Sequence, residues 1–246
     1  MVHVFLPDGQ RLRLRLFPRS KSARKKRNEK EAPPGLFAPA TADAAVVVAS
    51  ETLAARVVEF CLVNRINAAI LERFSQLGIR DWWLTSGCVV QTVWNMRCGR
   101  PATEGINDYD VVYFSEDASA EAEDQVIRDA AMLFDDLAAA IQVRNQARVH
   151  EWYPAKFGIA YSPLSTASEG ILRFPSTTTA IGLKRTGDEF LDVYAPFGLA
   201  NVWDMIVKPN RVLPLADVYG AKAERWQRQW PRLIVRPWVV ERESEA

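Results

Sequence analysis

Asp108 and Asp110 open the segment Asp108-Tyr109-Asp110-Val111-Val112-Tyr113-Phe114, whose β-branched and aromatic content reads as a strand. In a strand, residues i and i+2 point to one face, about 7 Å apart at Cα. Two carboxylates held that close repel unless a cation lies between them. A hard divalent ion with oxygen ligands, Mg²⁺ or Mn²⁺, is the natural partner. Taken alone, Asp-x-Asp is common, and two solvated acids at a strand start are the favoured reading, with the metal at about one chance in four. Two further features share the same chemistry. Upstream, Thr85-Ser86-Gly87 sits between an apolar run and a helical pattern, where free backbone N–H groups and the helix dipole suit a phosphate. Downstream, Asp192 lies among apolar neighbours in Phe190-Leu191-Asp192-Val193-Tyr194, so it faces solvent or meets a cation.

The elements that would carry these groups can be read from periodicity. Val57, Val58, Cys61, Leu62, Ile66, Ile70, Leu71 and Phe74 recur at helical spacing over residues 51–77. Asn64 and Asn67 allow either one break or two abutting helices, and Gly78 stands where a helix C-cap belongs. Trp82-Trp83-Leu84 reads as a buried strand, and Val89, Val90, Val93, Trp94 and Met96 as the helix after the glycine turn. Residues 118–140 read as one long amphipathic helix, acidic in its first half. Ile141–His150 contains Asn145-Gln146-Ala147-Arg148-Val149-His150, and residues 151–175 look loop-rich. A β-hairpin is expected over 177–194 around Thr186-Gly187-Asp188, with short helices over 201–207 and 216–229. Trp82, Trp83, Trp94, Trp203, Trp226 and Trp230 are expected in the core or at its rim.

The 246 residues are 48% apolar and 25% charged, enough for one sizeable core. No apolar run approaches the roughly 20 residues that cross a bilayer, and no secretory h-region is visible, so no membrane association is expected. Cys61, Cys88 and Cys98 form no CxxC pair and no even set, which points to reduced thiols and a cytoplasmic protein. With two histidines, His3 and His150, there is little material for a His-rich metal site. The net charge of +1 conceals a polarity: residues 11–31 hold ten Lys/Arg and two acids. That arm either contacts nucleic acid or is a solvated extension, the second being favoured. Leu12, Leu14 and Leu16 alternate with Arg11, Arg13 and Arg15 in a possible hairpin around Pro7-Asp8-Gly9. The organisation expected is a basic extension and Pro/Ala-rich linker over 1–45, one domain over 46–240 and a tail over 241–246.

Together, Ser86-Gly87-Cys88, Asn107–Phe114, Asn145–His150 and Ala195-Pro196-Phe197-Gly198-Leu199 resemble a bacterial, nucleotidyltransferase-like family within the nucleotidyltransferase superfamily, over roughly residues 50–240. The resemblance implies an α/β (α+β) fold with a mixed β-sheet packed with helices. It implies Asp108, Asp110 and Asp192 as catalytic, metal-binding carboxylates for Mg²⁺ or Mn²⁺, two from one strand and the third from its neighbour. Ser86 and Gly87 would hold a nucleoside triphosphate, whose nucleoside monophosphate passes to an unidentified hydroxyl acceptor. Arg148 would either grip phosphate bidentately or pair with a structural acid. The sequence departs from the family at Cys88, at Val90-Gln91-Thr92 and at Ala200-Asn201. An inactive nucleotide-binding or toxin–antitoxin-type regulator of the same fold is the main alternative. A manganese-dependent glycosyltransferase ranks below it, because the apolar strand follows Asp-x-Asp rather than leading into it.

Overall fold

Asn64 divides the first helical pattern. In the computed structural model, which describes residues 11–15 and 42–238, helix α1 (Ala42–Val63) ends there and α2 (Arg65–Arg73) begins. The Asn64 side-chain oxygen accepts from the backbone N–H of Ile66 at 3.0 Å, satisfying a donor that the helix start leaves free. A short 3₁₀ turn, Phe74–Leu77, follows and Gly78 closes it at φ +74°, a left-handed conformation that glycine adopts without strain. Two abutting helices are therefore what the asparagine imposes.

Six strands form one sheet: β1 (Arg11–Arg15), β2 (Asp81–Thr85), β3 (Asp108–Phe114), β4 (Ala140–Asn145), β5 (Gly182–Thr186) and β6 (Phe190–Tyr194). Their order is β1-β6-β5-β2-β3-β4, antiparallel throughout except for β3 and β4. The parallel pair needs a crossover, and α4 (Ala120–Leu133) supplies it. The remaining helices are α3 (Gly87–Arg97), α5 (Val149–Phe157), α6 (Ala167–Leu172), α7 (Ala200–Trp203) and α8 (Ala216–Gln229). A small parallel pair, β7 (Ile206–Val207) and β8 (Ile234–Val235), completes the described elements.

Strand alternation sorts the sheet's two faces. Tyr109, Val111, Tyr113, Leu84, Leu183 and Val193 join the main core with the apolar residues of α1, α2 and α3. Trp83, Val112 and Tyr194 face the other way and pack on Ala167 and Ile171 of α6. Asp108 and Asp110 share this second face by the same alternation. Trp94 of α3 meets Trp226 and Trp230 edge-on at 5.9 and 5.5 Å, and Trp230 donates to Asn95 at 2.8 Å. This contact fixes α8 against α3, and the tryptophans singled out in the sequence act as packing residues.

Several elements differ from the expectation. The long helix over 118–140 stops at Leu133, and β4 follows as an edge strand whose side chains alternate between exposed and buried at its C-terminal half. The loop-rich region contains α5 and α6; Pro154 sits inside α5, where proline removes a helix N–H, and so masked the pattern. The domain does not begin at residue 46. β1 pairs antiparallel with β6 and contributes buried Leu14 to the core, so part of the basic extension belongs to the sheet. The alternation of Leu and Arg over 11–15 is that strand, but its partner is distant in sequence; residues 1–10 and 16–41 lie outside the described residues.

Candidate active site

β2 and β3 bring the glycine turn to the aspartate pair. Thr85 is the register partner of Asp110, so the chain leaves β2 beside that carboxylate and enters α3 through Ser86 and Gly87. Thr85 Oγ1 donates to the carbonyl of Ile181 and holds the end of β2 against β5. Ser86 is forced to φ +65°, ψ −133°, a region that non-glycine residues occupy only under constraint. Such strain concentrates where a backbone must present its N–H groups in a set direction. A Cβ at Gly87 would lie 2.6 Å from Gln91 Nε2, the end of a flexible side chain, so a larger residue there would require Gln91 to turn aside.

A buried polar network fixes α3 relative to β3. Asn67 Nδ2 donates to the Cys88 carbonyl at 3.2 Å and to Thr92 Oγ1 at 3.1 Å, while Asn64 Nδ2 reaches Thr92 Oγ1 at 3.0 Å and Tyr109 Oη at 3.2 Å. Thr92, one of the departures from the family pattern, is thus a structural hub. Burial pushes the Cys88 thiol well up, so the residue is a neutral group at the turn and not a nucleophile.

Asp110 opens into a cavity of about 240 Å³ also lined by Ser86, Gln142, Arg144 and Lys222. Its far wall is aromatic: Trp152, Tyr153, Phe157 and Tyr161. Burial, then the neighbouring Asp108, raises the Asp110 carboxyl to about 6. Two carboxylates that oppose each other in this way ionise together more readily beside a cation. Burial lowers the ammonium of Lys222, which faces Asp110 and Asp108 from α8.

The structure does not bring Asp192 to this pair. It lies on β6, separated from β3 by β5 and β2, and is level with Val112 through Lys184 and Trp83. Three strand spacings make that roughly 14 Å. Its oxygens are taken: Arg13 Nε and Nη2 donate to them at 2.5 and 2.9 Å, and Thr186 Oγ1 at 2.8 Å. The acid in an apolar strand is bound to a cation, but that cation is an arginine from β1. The residue beside the pair is Gln142 on β4, the register partner of Asp110, whose Nε2 lies 3.5 Å from Asp108 Oδ2.

Arg148 is likewise committed elsewhere. Its guanidinium pairs with Glu123 at 2.7 Å and Glu151 at 3.1 Å, the structural alternative rather than the phosphate grip. Glu123 in turn accepts from the Asn145 backbone N–H at 2.8 Å, tying α4 to β4. Sequence reasoning missed Arg144, Gln142 and Lys222. The first two sat in a segment not read as a strand, and Lys222 is one of many basic residues in an amphipathic helix.

Among the described residues no group of three Asp, Glu, His or Cys side chains converges. Asp108 and Asp110, with the amide oxygen of Gln142 available, still fit one Mg²⁺, which takes one or two carboxylates and completes its shell with water and substrate phosphate. They do not form the three-carboxylate cage that the resemblance implies. No helix of the described residues is long and apolar enough to cross a membrane.

The fold has a solved counterpart. An NMR structure described as revealing a CCA-adding enzyme head domain superposes with a TM-score of 0.58 at 23% identity, covering 70% of this chain and 89% of that one. The likeness shows that the two chains share a fold. The sequence profile of a family described as nucleotidyltransferase matches residues 72–235, and the chain belongs to that family. No curated protein matches it.

Proposed function

We propose that the chain moves a nucleoside monophosphate from a nucleoside triphosphate to a hydroxyl acceptor, at a divalent metal held by Asp108 and Asp110. The observation that carries this reading is the cavity joining Asp110 to the strained Ser86 turn, with Arg144 and Lys222 on its rim. When bound, a divalent ion would polarise the transferred phosphoryl group and offset charge on the departing pyrophosphate. Ser86, Gly87 and the first turn of α3 orient the phosphate chain through hydroxyl and backbone N–H groups. The aromatic wall of Tyr153, Phe157 and Tyr161 gives a flat, water-poor surface for the rest of the substrate. Arg148 serves this site by holding β4 to α4, not by touching substrate.

Calorimetric titration of Mg²⁺ with each of the four nucleoside triphosphates tests the proposal. Wild type binds at least one of them in a metal-dependent way, and Asp108→Asn/Asp110→Asn does not. A folded wild type that binds none of them overturns the reading.

A further inference from the structure

The site is built from fewer acids and more bases than a cage for two divalent ions requires. Gln142 stands level with Asp110 on the neighbouring strand and hydrogen-bonds toward Asp108, so a neutral amide occupies the position nearest the pair. Asp192 is spent on Arg13. Lys222 from α8 and Arg144, two residues along β4 from Gln142, line the same space as Asp110 and Ser86. The ion pairs of the described residues involve neither of them, whereas Arg148 close by is held by two glutamates. Lys222 is half-buried one turn before Trp226, so the packing of α8 on α3 aims it at this space.

Charge decides how such a site can bind a triphosphate. Asp108 and Asp110 are balanced by Lys222 and Arg144 before any ligand arrives. One divalent ion brought in with the nucleotide leaves the rest of the phosphate charge facing these two cations. A second divalent ion would meet a neutral amide in place of a third carboxylate, and an ammonium at close range would repel it.

We infer that the protein binds its nucleoside triphosphate with a single divalent ion, and that Lys222, helped by Arg144, supplies the positive charge a second ion would otherwise provide. The inference rests on the nucleotidyl-transfer reading of the site. It assigns Lys222 and Arg144 to the phosphate chain and makes Gln142 the residue that sets the metal count.

Mn²⁺ counted by electron paramagnetic resonance, with a non-hydrolysable α,β-methylene triphosphate at saturation, tests it. Wild type holds one Mn²⁺ per chain in the ternary complex, and Gln142→Glu gains a second. Lys222→Met binds Mn²⁺ alone at least as tightly as wild type, a repelling cation having gone, but loses about tenfold or more in affinity for the Mn²⁺–nucleotide complex, and Lys222→Arg restores much of it. Arg144→Gln repeats the effect in weaker form from a different element. Two ions in wild type overturn the inference and leave the nucleotidyl-transfer reading standing. An unchanged nucleotide affinity in a folded Lys222→Met also overturns it alone. Absence of both Mn²⁺ and nucleotide binding in folded wild type overturns the two together.

Discussion

Replacing Asp110 by asparagine should stabilise the protein while emptying its site of function. The folded-state carboxyl ionises at about 6 against 3.8 for the unconstrained group, a difference of about two pH units. One unit corresponds to about 1.4 kcal/mol, so the upper bound is about 3 kcal/mol. Asp110 keeps some contact with solvent, which reduces the expected effect to about 1–2 kcal/mol. The sign follows from proton binding. Between the unfolded and folded values the native state holds more protons than the unfolded chain, so wild-type stability falls as pH rises through that window. Asparagine mimics the protonated form and removes the dependence. Asp110→Asn should therefore match wild type near pH 4 and exceed it by about 3–6 °C in Tm at pH 7, for a chain of this size. Millimolar Mg²⁺ should raise the wild-type Tm and leave the variant unmoved. Differential scanning calorimetry from pH 4 to 8, with and without Mg²⁺, reads all of this. A variant less stable than wild type at pH 7, or a stability gain independent of pH, would refute the argument that Asp110 is a carboxylate strained by burial and by Asp108.

Other perturbations separate structural charges from functional ones. Asp192→Ala should cost about 1 kcal/mol by freeing Arg13, seen in urea denaturation, with metal–nucleotide affinity unchanged. Deleting residues 1–30 strips β1 from β6 and should destabilise the domain, contrary to the behaviour of a dispensable arm, as a lowered urea midpoint would show. Arg148→Ala should cost about 1–2 kcal/mol by leaving Glu123 short of a partner, again without a change in nucleotide affinity by calorimetry. Ser86→Gly should gain about 1 kcal/mol of stability by relieving the positive φ, and lose triphosphate affinity as the turn slackens.

Much of the site's frame was legible in the sequence because local rules determine it. Asn64 and Gly78 mark helix boundaries through capping, Thr85-Ser86-Gly87 through the change of period, and Asp108–Phe114 through its strand composition. What failed depended on pairing across the sheet. Asp192 met the local criteria for a metal ligand, yet strand order places it three strands from Asp108, and its partner comes from β1. Nothing in the spacing of Arg11, Arg13 and Arg15 reveals that they belong to an edge strand whose register partner is β6. Arg148 carried two readings, and the choice needed Glu123, 25 residues away on α4. Gln142 and Lys222 gained meaning only when β4 and α8 were brought to the cavity that Asp110 lines. Edge strands such as β4 are half exposed, and so they lack the continuous apolar run that would announce them.

The central claim, nucleotidyl transfer at Asp108 and Asp110, is tested most directly by following labelled phosphorus. The protein is incubated with Mg²⁺, cell extract as the acceptor source, and nucleoside triphosphates labelled at either the α or the γ position. The account predicts α-label in the product and γ-label in pyrophosphate, both lost in Asp108→Asn/Asp110→Asn. Transfer of the γ-label with release of nucleoside diphosphate, or α-label transfer that persists in the double variant, would contradict it.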